Sequence, residues 1–488
     1  MNPDQPTVKE ITRRHFFEQA FGTVAGVSLG SMALATLLGE DAYAQTTAAT
    51  ARPFLTHQPK AKRIVYLQMA GGAPHVDLFD YKPQLEKFDG VDAPESLYKG
   101  ERFAFIKGVP KLGGSPFTFK QYGQSGAWFS EVLPHLSKHA DDLTFLKGMN
   151  TTQFNHGPAQ IYMMTGHQIS GRPAFGAWLS YGIGSANKDL PAYVVLLSGA
   201  VNPDGGSACW GSGFLPTIHQ GVPFQKQGDP INFVTNPRGM KADTRRDSID
   251  LINTLNEAKL KAAVDPEIMT RIGQYELAYK MQSSVPDLTD ISKEPAKVLE
   301  RYGATPGQSS FANNALLARR LIERDVRFVH LIHRNWDMHG TSVQVDVINK
   351  CQEACLQTDR ATAALITDLK ERGLFDETLI IWASEFGRTP MKQGISGTGA
   401  ANKYFGRDHH PKGYTVWMAG GGLKPGVTYG ATDEWGYWAV EGKTTPLDVF
   451  ATALHQLGIN HEKFTYKFSG RPFKLTDVEG RVIREIIA

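Results

Sequence analysis

The amino-acid sequence predicts an α/β fold in which a doubly wound, mostly parallel sheet carries helices on both faces. The first observation is a series of short apolar runs, each about as long as one strand. Strands that are buried on both faces have continuous apolar sequences of this kind. The second observation is that stretches with helical spacing separate several of these runs, an alternation typical of parallel sheets. The predicted strands are Arg63–Met69, Leu143–Lys147, Tyr193–Leu197, Arg327–Ile332, Thr378–Ala383 and Tyr414–Ala419.

Helical spacing is clearest in three stretches. Residues 315–323 and 343–370 lie on either side of the fourth predicted strand, with apolar residues three and four apart. Thr445 and Pro446 open a helix that runs to Leu457, because Thr is a favoured cap and Pro is tolerated in the first turn. Residues 200–312 interrupt the alternation with Gly- and Pro-rich loops and polar helices, and we interpret them as a helical and loop insertion in the domain.

The first 44 residues are predicted to be a twin-arginine signal peptide. Arg13 and Arg14 precede a mildly apolar, Gly- and Ala-rich run, and Ala42-Tyr43-Ala44 supplies a small-x-small cleavage site. The alternative is an amphipathic or anchoring N-terminal helix. Export would carry the protein, already folded, through the twin-arginine translocase to a periplasmic or extracytoplasmic location. Residues 45–60 then form a linker and 61–488 form the folded domain.

Composition argues against a nucleic-acid partner and against a membrane span in the mature chain. The net charge is +3, and no basic run alternates with aromatic residues, so we expect no nucleic-acid partner. After the signal peptide no apolar run is long enough to cross a bilayer, and we expect no stable membrane span in the mature chain. Cys209, Cys351 and Cys355 are predicted to be packed thiols rather than a disulfide or a metal site.

Carboxylates and imidazoles cluster beside the ends of four predicted strands. Because ligands of open α/β sheets gather at the carboxyl ends of the strands, we expect several of these groups to meet. Mixed nitrogen and oxygen donors of this kind suit a divalent metal (Zn, Mn, Ca or Mg), which would lower the pKa of a bound water and neutralise an ester oxyanion. The candidate metal ligands are His75, Asp77, Asp337, His339, Glu385, His409 and His410.

Asn155 and His156 are candidate catalytic residues at the start of a predicted helix that ends near Thr165 and Gly166. A nucleophile or an anion-binding group at a helix N-terminus gains from the backbone amides and the helix dipole. The alternative is a capping loop in which Asn155 is the cap.

Taken in order, these motifs resemble the alkaline phosphatase and sulfatase superfamily, and within it an exported branch described as domain of unknown function 1501. The resemblance covers nearly all of the chain after the signal peptide. It implies an alkaline phosphatase-like fold with one or two metals at strand ends and the hydrolysis of phosphate or sulfate esters. The motifs that carry it are Gly71–Asp80, Asn155–Gly166, Ala318–Val329, Trp336–His339, Ser384–Thr389 and Asp408–His410.

The resemblance also implies residue roles. Glu385 stands for a metal-binding aspartate, Asp337 and His339 lie in the region of an aspartate and histidine metal pair, and His409 or His410 resembles a late metal-binding histidine. Two positions depart from the superfamily near these ligands: Phe386 replaces a histidine, and Gly71-Gly72 stands where a metal-binding aspartate is usual. Asp77, with His75, would substitute from slightly downstream.

The position of the sulfatase nucleophile departs further. Nine residues before Thr165 the chain has His156, Pro158 matches the motif's proline, and Gln160 stands in the place of its arginine. No cysteine occupies the position that would become formylglycine, so ordinary sulfatase chemistry is not expected.

Three functions fit these residues. The first is a periplasmic metal-dependent hydrolase of phosphate, sulfate or related esters on a small-molecule or saccharide substrate, with His156 as nucleophile or acid/base. The second is a non-catalytic binding or assembly protein on the same fold, favoured by the missing nucleophile and by Phe386. The third is a transferase with a covalent His156 intermediate. Trp210, Phe214 and Phe224 in the insertion could stack on a sugar, or could simply be packing.

Overall fold

An eight-stranded sheet lies at the centre of the molecule, and all six predicted strands belong to it. The structure is a computed structural model that describes residues 52–198, 202–225, 231, 236, 239–262, 266–393 and 404–488. The predicted signal peptide and the first part of the predicted linker lie outside these residues. The strands in chain order are β1 (Arg63–Ala70), β2 (Phe119–Tyr122), β3 (Ala127–Ser130), β4 (Leu143–Met149), β5 (Tyr193–Ser198), β6 (Val222–Phe224), β7 (Phe328–Arg334), β8 (Thr378–Ala383), β9 (Gly387–Arg388), β10 (His409–His410), β11 (Tyr414–Ala419), β12 (Thr428–Tyr429), β13 (Ala431–Thr432), β14 (Ala439–Glu441), β15 (Tyr466–Phe468) and β16 (Arg471–Phe473).

The spatial order of the sheet is β12-β4-β11-β8-β1-β7-β5-β6. Strand β11 is antiparallel to both of its neighbours, β4 and β8. Every other pair in this sheet is parallel, which confirms the predicted mostly parallel arrangement. Because β11 runs against the others, the residues that precede it lie at the same edge of the sheet as the residues that follow β1, β4, β7 and β8.

Alternate side chains of each strand enter two separate cores, as a sheet covered on both faces requires. On β1, Val65 and Leu67 pack into one core, whereas Ile64 and Tyr66 pack into the other. Helices α8 and α9 cover the first face, and α3, α4 and α10 cover the second. The helices are α1 (His75–Leu78), α2 (Pro83–Lys87), α3 (His156–Thr165), α4 (Phe175–Ile183), α5 (Ala242–Ala262), α6 (Pro266–Thr289), α7 (Ala296–Tyr302), α8 (Phe311–Glu323), α9 (Val347–Glu371) and α10 (Pro446–Gln456).

The helix starts follow from local chemistry. Helix α10 begins with a capping box, in which the side chain of Thr445 and that of Asp448 each bond the other's backbone amide. Asp346 caps α9 by accepting a hydrogen bond from the amide of Asn349. The predicted helices at 315–323, 343–370 and 445–457 correspond to α8, α9 and α10.

The sequence predicts a helical and loop insertion at about residues 200–312, and the described part of this region contains both helices and an edge strand. Helices α5, α6 and α7 lie in it, and β6 adds an edge strand to the sheet. Trp210 and Phe224 are buried, and Phe214 stacks on Phe468, so these aromatic side chains pack within the protein. The three cysteines are buried free thiols, as predicted.

Residues 52–252 and 274–488 form one compact unit, which contains the central sheet. Residues 253–273 are grouped separately and contain the end of α5 and the start of α6. Among the helices of the described residues, none is long and apolar enough to cross a membrane.

The pH dependence of the unfolding free energy tests whether one buried imidazole of the sheet, that of His330, is neutral in the folded protein. His330 on β7 lies 2.7 Å from Gln68 Oε1 through Nε2 and 3.2 Å from the Tyr193 hydroxyl through Nδ1, and burial lowers its pKa to about 3. In the unfolded chain the histidine pKa is about 6.5, so the unfolded state binds the extra proton first. This group's contribution to stability is therefore lost as the pH falls below that value.

We expect the free energy of unfolding to fall between pH 7 and pH 5, with His330 contributing about 2 kcal/mol of that loss. The variant His330→Gln removes the titrating group, so its urea unfolding curves should show a correspondingly weaker pH dependence. An unchanged pH dependence in the variant would contradict the neutral, buried assignment.

Candidate metal centre

Four side chains meet at the sheet edge where the parallel strands end. His156 opens α3 after β4, Asp337 and His339 follow β7, and His409 precedes β11. One ligand atom from each of these residues lies within 4.8 Å of every other. The reversed direction of β11 is what brings His409 to this edge.

The three imidazoles of the cluster share one arrangement: each Nδ1 is bound to an acceptor, so each Nε2 faces the other ligand atoms. A hydrogen bond at one ring nitrogen fixes the tautomer and leaves the lone pair on the other nitrogen, as in protein metal sites. The Nδ1 contacts are His156 to Glu385 Oε1 at 2.7 Å, His339 to Gln393 Oε1 at 2.6 Å and His409 to the Phe154 carbonyl at 2.6 Å.

The converging atoms lie close together. His339 Nε2 is 2.9 Å from His409 Nε2 and 2.8 Å from Asp337 Oδ1. Asp337 Oδ1 also lies 3.3 Å from the buried His156 Nε2, close enough for an ion pair. Lone pairs that face one another at these distances repel unless a proton or a cation lies between them. Three nitrogens and one carboxylate oxygen are a common donor set for a transition metal, so this cluster could hold one.

A buried arginine adds positive charge behind the cluster. Arg388 donates from Nη2 to Asp337 Oδ1 at 2.5 Å and from Nε to the Gly72 carbonyl at 2.9 Å. Burial of Asp337 alone would raise its pKa, but Arg388 and the neighbouring imidazoles outweigh this effect and hold the pKa well below its usual range. The carboxylate of Asp337 is therefore ionised and able to act as a ligand.

The pKa values of two imidazoles move in opposite directions. Burial lowers the pKa of His156, but the carboxylates of Asp337 and Glu385 outweigh burial and raise it to about 9. Burial lowers the pKa of His409 to about 4. At neutral pH the metal-free cluster thus carries a proton on His156, which a metal ion would displace on binding.

Glu385 lies behind His156 rather than among the converging atoms. Its side chain is fully buried, and Oε1 accepts hydrogen bonds from His156 Nδ1, the Gly71 amide at 2.9 Å and Gln160 Nε2 at 3.0 Å. Burial raises the pKa of this carboxyl, but the hydrogen bond and charge of His156 reverse the shift, so the net pKa is lowered. Glu385 therefore orients an imidazole of the cluster.

The remaining predicted ligands do not reach the cluster. His410 Nε2 donates to the Tyr437 carbonyl at 2.5 Å, and His75 Nε2 donates to the Gly436 carbonyl at 2.8 Å. Asp77 is buried and forms a two-pronged ion pair with Arg407, at 2.7 and 2.9 Å. Asn155 is exposed at the N-cap of α3 and makes no side-chain capping bond.

Gly71 and Gly72 form a turn in which any larger side chain would clash with its neighbours. Both residues have positive φ angles, 123° and 76°. A Cβ on Gly71 would lie 2.6 Å from the Asp337 amide nitrogen, and one on Gly72 would lie 2.7 Å from the Phe386 ring. The Phe386 ring in turn lies 5.0 Å from the His156 ring and 4.7 Å from that of His409. The glycines therefore let the loop after β7 and Phe386 approach the end of β1.

Three of the groups that hold the cluster are not among the predicted site residues: Arg388, Gln393 and the Phe154 carbonyl. Arg388 could have been predicted from the sequence, since it lies in the Ser384–Thr389 motif and follows a strand end. A backbone carbonyl has no sequence signal, and Gln393 lies in a stretch without periodicity.

Comparisons with known proteins identify the family. The sequence profile of a family described as "Protein of unknown function (DUF1501)" matches residues 61–487, the family that the sequence motifs indicated. A search of the curated proteins finds no match.

Solved structures similar to this chain include members of the superfamily that the sequence resembles. They are a phosphonate monoester hydrolase from Silicibacter pomeroyi (15% identity, 72% of this chain and 71% of the other, TM-score 0.31), a protein in the alkaline phosphatase superfamily from Vibrio parahaemolyticus (14%, 90% and 78%, TM-score 0.35) and the PsFucS1 sulfatase from Pseudoalteromonas sp. (13%, 89% and 73%, TM-score 0.33).

The variant Asp77→Asn separates a structural role of Asp77 from a ligand role. It leaves the buried Arg407 charge without its partner, so we expect a loss of about 3–5 kcal/mol in the free energy of unfolding, measured by urea denaturation. The control Glu95→Gln breaks the exposed pair with Lys99, which should cost less than about 1 kcal/mol. Weaker divalent-metal binding by Asp77→Asn, at unchanged stability, would instead identify Asp77 as a ligand.

Proposed function

The chain belongs to the DUF1501 family, and we propose that it is a metal-dependent hydrolase of phosphate, sulfate or related esters. The ligands of the metal would be His156, Asp337, His339 and His409. The observation that carries the proposal is the convergence of three imidazoles whose Nδ1 atoms are all held by acceptors, beside an ionised carboxylate. Packing alone does not require three Nε2 atoms to face one point.

We propose zinc as the metal. Three nitrogen donors and one oxygen donor suit zinc and disfavour calcium and magnesium, which prefer oxygen ligands. When bound, the ion would supply an electrophile for an ester oxygen and would lower the pKa of water. The exposed carboxylate of Asp337, half of whose side chain is accessible, leaves the cluster open on one side to a substrate.

The charges of the site favour an anionic substrate. With a proton on His156, the metal-free cluster is neutral, because the charges of His156 and Arg388 balance those of Asp337 and Glu385. Replacing that proton by a divalent ion leaves one net positive charge in a largely buried site. A positive site of this kind attracts a phosphate, phosphonate or sulfate ester.

We assign His156 to the ligand set rather than to nucleophilic attack. Its Nδ1 donates to the buried Glu385, and its Nε2 faces Asp337 Oδ1, so both ring nitrogens are engaged. A covalent His156 intermediate would need Nε2 to be free of the metal. The geometry therefore favours the hydrolase over the transferase.

For the location of the protein we propose export. The twin arginines at positions 13 and 14 and the cleavage site at 42–44 support transport through the twin-arginine pathway, which carries folded proteins and would permit metal loading before transport. Arg13→Lys together with Arg14→Lys should keep the protein out of the periplasmic fraction. Periplasmic recovery equal to that of the wild type would contradict this route.

Adjacent histidines on β10 provide a matched test of the ligand set. His409→Ala removes a proposed ligand, and we expect zinc affinity, measured by isothermal titration, to fall by more than about 100-fold, beyond the loss typical of groups behind a ligand. His410→Ala truncates the neighbouring buried imidazole, which bonds the Tyr437 carbonyl, and should leave zinc affinity within about 3-fold of the wild type, inside the ordinary context variation of a remote site. Equal effects of the two variants would contradict the assignment.

The same variants test the reaction. Zinc-loaded wild type and His410→Ala should hydrolyse at least one of a panel of phosphate, phosphonate and sulfate esters, whereas chelator-treated protein and His409→Ala should not. Tight zinc binding with no hydrolysis across the panel would instead favour a non-catalytic binding protein on this fold.

A further inference from the structure

We propose that Phe105 is a specificity residue of the metal site, where its ring forms a wall that packs against a flat apolar group of the ester substrate. The inference rests on the proposed function, since it assigns a substrate class to the same site. Phe105 lies on the loop between α2 and β2, which the sequence motifs did not include.

The ring of Phe105 covers two of the proposed ligands. Its centroid lies 4.7 Å from that of His339 at an interplanar angle of 70°, and 5.8 Å from that of His409 at 85°. The residue is nevertheless 49% exposed, so much of the ring remains accessible beside the metal cluster. Isolated exposed apolar residues are common on protein surfaces, but this one contacts two imidazoles whose Nε2 atoms lie 2.9 Å apart.

A buried carboxylate holds this loop in position. Asp408 Oδ2 accepts hydrogen bonds from the amides of Phe105 at 2.7 Å and Ile106 at 2.9 Å. Its other oxygen accepts the amide of His409 at 2.8 Å. Asp408 is fully buried, and a buried charge is tolerated because these backbone donors satisfy it. The same carboxylate thus fixes the backbone of Phe105 and the backbone of a proposed ligand.

This common anchor gives Phe105 a defined position relative to the metal ligands. Ile106 is buried in a small apolar cluster with Leu112 and Met391, which anchors the loop on its other side. A rigid aromatic ring loses little conformational entropy when it binds a partner, and ring pairs gain energy beyond the area that they bury. A substrate whose anionic end reaches the metal would therefore place its adjoining group against Phe105, and an aromatic group fits best.

Two phosphonates test the proposal without requiring turnover. Phenylphosphonate and methylphosphonate carry the same anionic group but differ in the group that would contact Phe105. We expect zinc-loaded wild type to bind phenylphosphonate more tightly, measured by isothermal titration. Phe105→Ala should reduce that preference by about 3–10-fold, while methylphosphonate affinity and zinc stoichiometry stay at wild-type values.

Two further variants serve as controls. Phe105→Trp keeps an aromatic wall and should retain the preference for phenylphosphonate. Phe468→Ala removes a similarly exposed phenylalanine, 43% accessible, that stacks on Phe214, and should change neither affinity.

The outcomes distinguish the two proposals. A wild-type preference for phenylphosphonate in Phe105→Ala would overturn the role of Phe105 and leave the hydrolase proposal intact. Failure of the zinc-loaded wild type to bind either phosphonate would overturn the anion-binding site on which both proposals rest.

Discussion

The direction of one strand brings the four candidate metal ligands together. Strand β11 runs antiparallel to β4 and β8, whereas the other pairs of the central sheet are parallel. Residues that follow parallel strands and residues that precede an antiparallel strand lie at the same edge, so His409 meets Asp337 and His339 there. If β11 were parallel, His409 would lie at the opposite edge, at least the length of a strand away. The proposed ligand set depends on this reversal.

A second layer of hydrogen bonds turns this proximity into a defined geometry. Glu385, Gln393 and the Phe154 carbonyl each accept a hydrogen bond from the Nδ1 of one imidazole, and Arg388 holds Asp337. These partners fix the ring orientations in the absence of an ion, which would reduce the entropic cost of binding one. The same contacts compensate the buried charges nearby, because the Glu385 carboxylate and the Arg388 guanidinium both face groups of opposite charge or backbone dipoles.

Much of this fold could be predicted from the sequence, because a strand that is buried on both faces has a continuous apolar sequence. The apolar runs of β1, β4, β5, β7, β8 and β11 are those of strands that are buried along most of their length. The proximity of Asp337 and His339 was also predictable, since both follow β7 at a spacing of two. The direction of β11 was not, because an apolar run carries no signal of its orientation.

The roles of the individual candidate residues could be assigned only from the structure. His409 and His410 are neighbours on a strand and point in opposite directions, and their sequence does not say which one faces the cluster. Glu385 follows a strand end like a ligand, yet it orients His156, a difference of a few ångströms in placement. Asp77 pairs with Arg407, whose position in the chain is 330 residues away, and no local pattern reveals so distant a partner.

Zinc coordination is the most direct test of the proposed ligand set. Zinc-edge X-ray absorption, combined with an anomalous difference map of zinc-loaded crystals, gives both the donor types and the ligand identities. We expect one ordered zinc with three histidine nitrogens at about 2.0–2.1 Å and a carboxylate oxygen at about 2.0–2.2 Å, from His156, His339, His409 and Asp337. A zinc bound by Glu385 in place of His156, or no ordered zinc at this edge of the sheet, would contradict it.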